Sequence, residues 1–168
     1  GKVFKEKLGD QYYPIILEHQ DTFALLRSYM TQKYNAEIID ESTKKFAYTE
    51  QQWLELFTLY KTLVDSHVIP SPKYFASFGK SNMYEMKPWI NGEWAGTYMW
   101  NSTITKYSDN LVKPAKLVLG PYPMLAEAKD AGLFFKPAQM LSIGKNTKYP
   151  KESAMLINFL LNSKEGVE

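Results

Sequence analysis

The residues of this sequence best suited to chemistry are aromatic rings and amides, with few candidates for acid, base or nucleophile. Tyr12, Tyr13, Trp89, Trp94, Tyr98, Trp100, Tyr107 and Tyr122 are interleaved with Asn, Gln, Ser and Thr. A pyranose ring has an apolar C–H face and a belt of hydroxyls, so a site for it wants a flat aromatic surface and short amide or hydroxyl side chains. For any one of these rings, core packing is the competing use, because large aromatics are buried on average. Trp53 and Phe57, which share a helical stripe, are assigned to the core on that ground.

Catalytic alternatives find little support. The chain has no cysteine, which removes thiolate nucleophiles, disulfides and zinc ribbons together. Its two histidines, His19 and His67, sit far apart at the polar ends of helical patterns, where capping or solvent-facing roles are expected. The pairs Glu18/Asp21 and Glu127/Asp130 are spaced i, i+3, which on a helix reads as a solvated face. No phosphate-binding glycine loop, nucleophile elbow or calcium loop is present, so no catalytic residue, metal ligand or cofactor is expected.

The partner class narrows in the same way. Twenty basic against eighteen acidic side chains leave a net charge of +2 without a dense cationic stripe, and Arg27 is the only arginine. That balance argues against nucleic acid, which is recognised by basic patches and the planar guanidinium fork. At 168 residues and 45% apolar composition the chain is long enough for one substantial core and short for two. It has no run of about 18 apolar residues, and its start, GKVFKEKLGD, lacks the apolar stretch of a signal peptide.

The elements that would position the aromatics follow from periodicity. A helix is expected from Pro14 to about Tyr34, with Phe23, Leu26, Met30 and Tyr34 on one face and Asp21 able to cap its second half. A short strand or hairpin should follow around Ile38, Ile39, Phe46 and Tyr48. Thr49 and Gln52 form a capping box ahead of Trp53, Leu56, Phe57, Tyr60, Leu63 and Val64, which predicts a helix over 50–67 that ends before Pro70 and Pro72. Strands are expected over 94–99, 116–119 and 139–143, and a helix start or loop over 102–110. A last helix should begin at Pro150, with Asn158 the single polar residue between Ala154 and Leu161. Strands alternating with helices predict an α/β domain.

In this order the features resemble a family. INGEWAGTYMW is similar to a glycine-containing segment of the extracellular solute-binding proteins that serve carbohydrate ABC importers. The strand ending in GPYPM and the block MLSIGKNTKYPKESAMLINFLLNSKEG look like later parts of the same family, in register over roughly 49–168. Two departures stand out: Gly96 replaces the usual Met, and the usual stacking Trp would fall near Ser102, where this chain offers Trp100 and Asn101 earlier.

The resemblance implies a partial type II periplasmic-binding-protein fold, in which two α/β lobes close on a ligand. Residues 1–122 would be the second-lobe region, and 123–168 would hold the interlobe crossing with a strand and helix of the other lobe. It further implies non-catalytic capture of an oligosaccharide, delivery to an ABC permease, and a place outside the cell membrane, lipid-anchored or periplasmic. Trp100 and Asn101, after the strand, and Lys136 and Gln139, in the crossing, are the ligand contacts it carries over, with Trp89, Tyr98 and Tyr12 as further candidates. A chain cut between lobes should leave the 154–161 helix uncovered, so a homodimer exchanging that helix is expected. The alternatives are a carbohydrate-active enzyme or its accessory glycan-binding domain, and a protein-interaction module without sugar affinity.

Overall fold

Local sequence signals set the helices, and the positions of Pro and Gly set where they stop. The computed structural model describes residues 1–133 and 140–167, in two compact units, Gly1–Phe134 and Phe135–Glu168. In the first unit α1 spans Lys2–Leu8 and α2 spans His19–Tyr34, closed by Asn35 in the left-handed conformation. The two-residue strands β1 (Ile39–Asp40) and β2 (Lys45–Phe46) pair antiparallel as the expected hairpin. Its turn is organised by the Asp40 carboxylate, which accepts from the Ser42 hydroxyl at 2.6 Å and from the Thr43 and Ser42 amides at 2.8 Å and is thereby held down to about 2.

The helix α3, Glu50–Asp65, starts on the capping box read from the sequence. The Thr49 hydroxyl accepts from the Gln52 amide, and the Gln52 side chain accepts from the Thr49 amide at 2.8 Å. Leu26 and Met30 of α2 pack with Tyr48 and Leu56 to form one core. Phe57 departs from the expectation: it is 59% exposed and stacks on the half-buried Trp53 at the outer edge of α3. The helical stripe is wider than the surface α2 covers, so its margin stays in solvent.

Helix α4 (Pro72–Ala76) follows the Pro70 break, capped by the Ser71 hydroxyl with Pro72 in its first turn. A 3₁₀ turn, Met83–Glu85, leads into α5 (Lys87–Ile90), and a second, Asn101–Thr103, into α6 (Ile104–Asp109). These short elements surround a second core of Tyr13, Ile16, Met83, Met86, Trp89, Trp94 and Tyr107.

The stretch ahead of α2 is the main correction. Residues 13–17 are extended instead of helical, and Tyr13 and Ile16 bridge Trp94 and Thr97 in parallel. Pro14 disfavours a helical conformation at Tyr13, and the run Tyr13, Ile16, Leu17 is buried, as suits a covered strand more than an amphipathic helix. The strand expected over 116–119 is absent: Val118 and Leu119 are 81% and 74% exposed, and no described segment offers them a ladder. Residues 140–143 likewise form no strand, and Gln139 lies outside the described residues.

In the second unit, α7 spans Pro150–Asn162, with Pro150 in the first turn as expected, and α8 spans Lys164–Val167. No residue of α7 is buried. Met155, Leu156, Phe159, Leu160 and Leu161 are all exposed. No described helix is long and apolar enough to cross a membrane.

Candidate ligand-binding site

The parallel ribbon places the candidate residues. Because Tyr13 bridges Trp94 and Ile16 bridges Thr97 in parallel, the two segments leave the pair at the same end, through Leu17–Glu18 on one and Tyr98 on the other. In α/β proteins that edge is where ligands bind, since the loops leaving it are free to diverge. Here those loops are the start of α2 and the segment Tyr98–Asn101. Tyr98, Met99 and Trp100 are half-buried and Asn101 is exposed. The Thr103 hydroxyl and amide both donate to the Trp100 carbonyl, at 2.7 and 3.2 Å, and fix the turn that carries Trp100 and Asn101.

The other sequence candidates fall elsewhere. Trp89 is 2% exposed, and its indole donates to the Tyr107 carbonyl at 3.1 Å. It also meets the Tyr107 ring edge-on, so it is part of the core that backs α6. Tyr12 lies at the opposite end of the ribbon, where its carbonyl is 3.0 Å from His67 Nε2. His67, expected to cap or face solvent, is instead half-buried and stacks on Tyr13 at 4.1 Å, while His19 is exposed at the first position of α2. Lys136 and Gln139 lie outside the described residues.

Three features of this region escaped the sequence reading. Asp21 is half-buried, and desolvation, with Glu18 beside it, pushes its carboxyl up to about 6. Its field reaches the phenols of Tyr98 and Tyr107, which burial chiefly raises above their ordinary range. The acidic pair is therefore no simple solvated face. Ser28 and Gln32, one turn apart on α2, hold the segment by which the chain leaves the first unit. Ser28 Oγ donates to the Ala131 carbonyl at 3.0 Å, and Gln32 Nε2 donates to the carbonyls of Pro123 and Ala131, both at 2.9 Å. Gln32 Oε1 accepts from the Leu125 amide at 2.7 Å.

Tyr122 joins the two halves of this arrangement. Its hydroxyl donates to Ser28 Oγ at 2.6 Å and lies 3.0 Å from the Tyr98 hydroxyl, so the candidate wall and the exit segment share one hydrogen-bonded chain. An apolar groove of about 210 Å³ runs beside it between Leu26, Leu59, Leu63, Met124 and Leu125. Its aliphatic lining suits hydrocarbon better than a sugar. Among the described residues no group of His, Asp and Glu is placed to hold a metal ion.

Solved structures share this part of the fold. The chain is 84% identical, with a TM-score of 0.93, to a periplasmic oligogalacturonide-binding protein from Yersinia enterocolitica in complex with saturated digalacturonic acid; the match covers 99% of this chain and 41% of that one. It is 52% identical, with a TM-score of 0.94, to a periplasmic solute-binding protein from Pectobacterium atrosepticum, over 99% of this chain and 42% of that one. A structure described as a de novo designed cysteine esterase is 80% identical, with a TM-score of 0.86, over 99% and 41%. The chain thus spans about two fifths of the length of these proteins and carries that part of their fold. No protein-family model matches it, and no curated protein does.

Proposed function

We infer the function of this chain from the family to which it belongs, the periplasmic solute-binding proteins: it supplies part of the wall of a cleft that captures an acidic oligosaccharide for an ABC importer, without making or breaking a bond. The observation that carries this reading is 84% identity, over nearly the whole chain, to a protein solved with digalacturonic acid. The reading is supported by the half-buried Tyr98 and Trp100 and the exposed Asn101, which follow the Thr97 bridge and could offer ring faces and an amide to such a ligand.

In this reading Trp100 stacks on a sugar ring and Asn101 bonds its hydroxyls. Lys136 and Gln139 reach the ligand from the crossing, where the ammonium of Lys136 balances a uronate carboxylate. That cation matters because the acids nearest the described wall, Glu18 and Asp21, carry the same charge as the ligand. Residues 123–168 carry the chain toward the other lobe, and closure of the lobes presents the loaded form to a membrane permease. The whole protein works in the periplasm, as its relatives do, with lipid anchoring as the other way to keep it beside the permease.

The enzyme reading is weaker. A cysteine esterase has been built on a closely similar chain, but this one holds no cysteine to serve as nucleophile. The test is the Trp100→Ala variant of the full-length protein, titrated with saturated digalacturonic acid. A loss of about 2 kcal/mol or more, roughly thirtyfold in affinity, is expected. Undiminished affinity removes Trp100 from the site.

A further inference from the structure

The hydrogen-bonded chain that ends at Tyr98 has a direction. Ser28 has one hydroxyl proton, and it is committed to the Ala131 carbonyl at 3.0 Å, which can only accept. Ser28 Oγ therefore accepts from Tyr122, whose single proton is spent across 2.6 Å. The Tyr98 and Tyr122 hydroxyls lie 3.0 Å apart, and with the Tyr122 proton already used the bond between them must be donated by Tyr98. Burial and the Tyr122 hydroxyl both hold the Tyr98 phenol in its protonated form.

We propose that Tyr122 and Ser28 are positioning residues that turn the Tyr98 proton inward, so that Tyr98 meets the ligand as a hydrogen-bond acceptor and selects a sugar hydroxyl, against a carboxylate, at that point of the wall. The proposal rests on the functional reading above and adds to it the polarity of one contact. It assigns specificity to Tyr122, a residue that need not touch the ligand. Gln32 steadies the arrangement from the side: its amide holds the Pro123 and Ala131 carbonyls, and through them the backbone on either side of the exit segment. A uronate offers both groups, so its hydroxyls would face Tyr98 and its carboxylates would be met elsewhere.

The experiment is a double-mutant cycle in the full-length protein, with Y98F, Y122F and the pair titrated with saturated digalacturonic acid, and unfolding midpoints measured for all. Y98F should weaken binding about fivefold, the worth of one hydrogen bond between neutral groups. Y122F should weaken it by a similar or smaller factor by itself, and by nothing further in the Y98F background, because its effect passes through the Tyr98 hydroxyl. A merely structural role for Tyr122 would weaken binding equally in both backgrounds, and that result overturns the proposal. Unaltered affinity in Y98F also overturns it while leaving the functional reading intact. No binding by the unaltered protein overturns the functional reading itself.

Discussion

Tyr122 donates to Ser28 across 2.6 Å, and through that bond the segment by which the chain leaves its first unit is tied to the middle of α2. Ser28 is 2% exposed, and a buried hydroxyl costs stability unless its bonds are made. Here it accepts from Tyr122 and donates to Ala131, so the exit segment and the helix complete one another.

Gly132 shows how closely the two approach. It holds φ at +61°, and a Cβ there would stand 2.7 Å from the Ser28 carbonyl. Gly132→Ala should cost about 2 kcal/mol, from the left-handed conformation together with the clash. Urea unfolding of the full-length protein checks this, and an unchanged midpoint would mean that the segment can lift from α2 freely.

Asp21 gives a pH dependence with a definite sign. Its folded value, about 6, lies above the ordinary 3.8, so the folded state binds the proton more tightly than the unfolded one. The penalty for keeping it charged begins as pH rises past the ordinary value and is complete above the folded one. Asp21→Asn should therefore stabilise the protein at pH 7.5, by about 1 kcal/mol after allowance for its half exposure, and have no effect near pH 3.5. Melting curves at the two pH values test it.

Thr49→Ala removes the hydroxyl that accepts from the Gln52 amide and should cost about 1 kcal/mol by thermal unfolding. The loss should appear without any change in ligand affinity, since the capping box of Thr49 and Gln52 includes none of the candidate ligand residues.

The isolated 168-residue chain should associate. Met155, Leu156, Phe159, Leu160 and Leu161 of α7 are exposed together, an apolar surface of the kind that drives dimerisation or exchange of a helix. Light scattering at moderate concentration should show a dimer, and Leu156→Glu with Leu160→Glu should return it to monomer.

The parts of this fold that could be read from sequence are those fixed within a turn or two. The Thr49–Gln52 box, the Pro150 start of α7 and the hairpin about Ile39 and Phe46 all depend on neighbours in the chain. Tyr13–Leu17 misled because the partner that makes it a strand, Trp94–Thr97, is distant in sequence, and the same apolar run suits either structure. Val118 and Leu119 have strand-like types and find no ladder among the described residues.

At the candidate site, the family resemblance pointed to Trp100, Asn101 and Tyr98, which the chain carries together just beyond the Thr97 bridge. It also pointed to Trp89, which the structure seals in the core. Ser28 and Gln32 were missed because two polar residues one turn apart on a helix look like a solvated face. What makes them a clamp is a pair of carbonyls, at Pro123 and Ala131, nearly a hundred residues on.

The central claim, capture without reaction, is met most directly by calorimetric titration of the full-length protein with saturated digalacturonic acid, followed by recovery and mass measurement of the sugar. Saturable one-to-one binding with the disaccharide returned intact is the predicted result. Absence of a binding isotherm, or recovery of cleaved sugar, would contradict it.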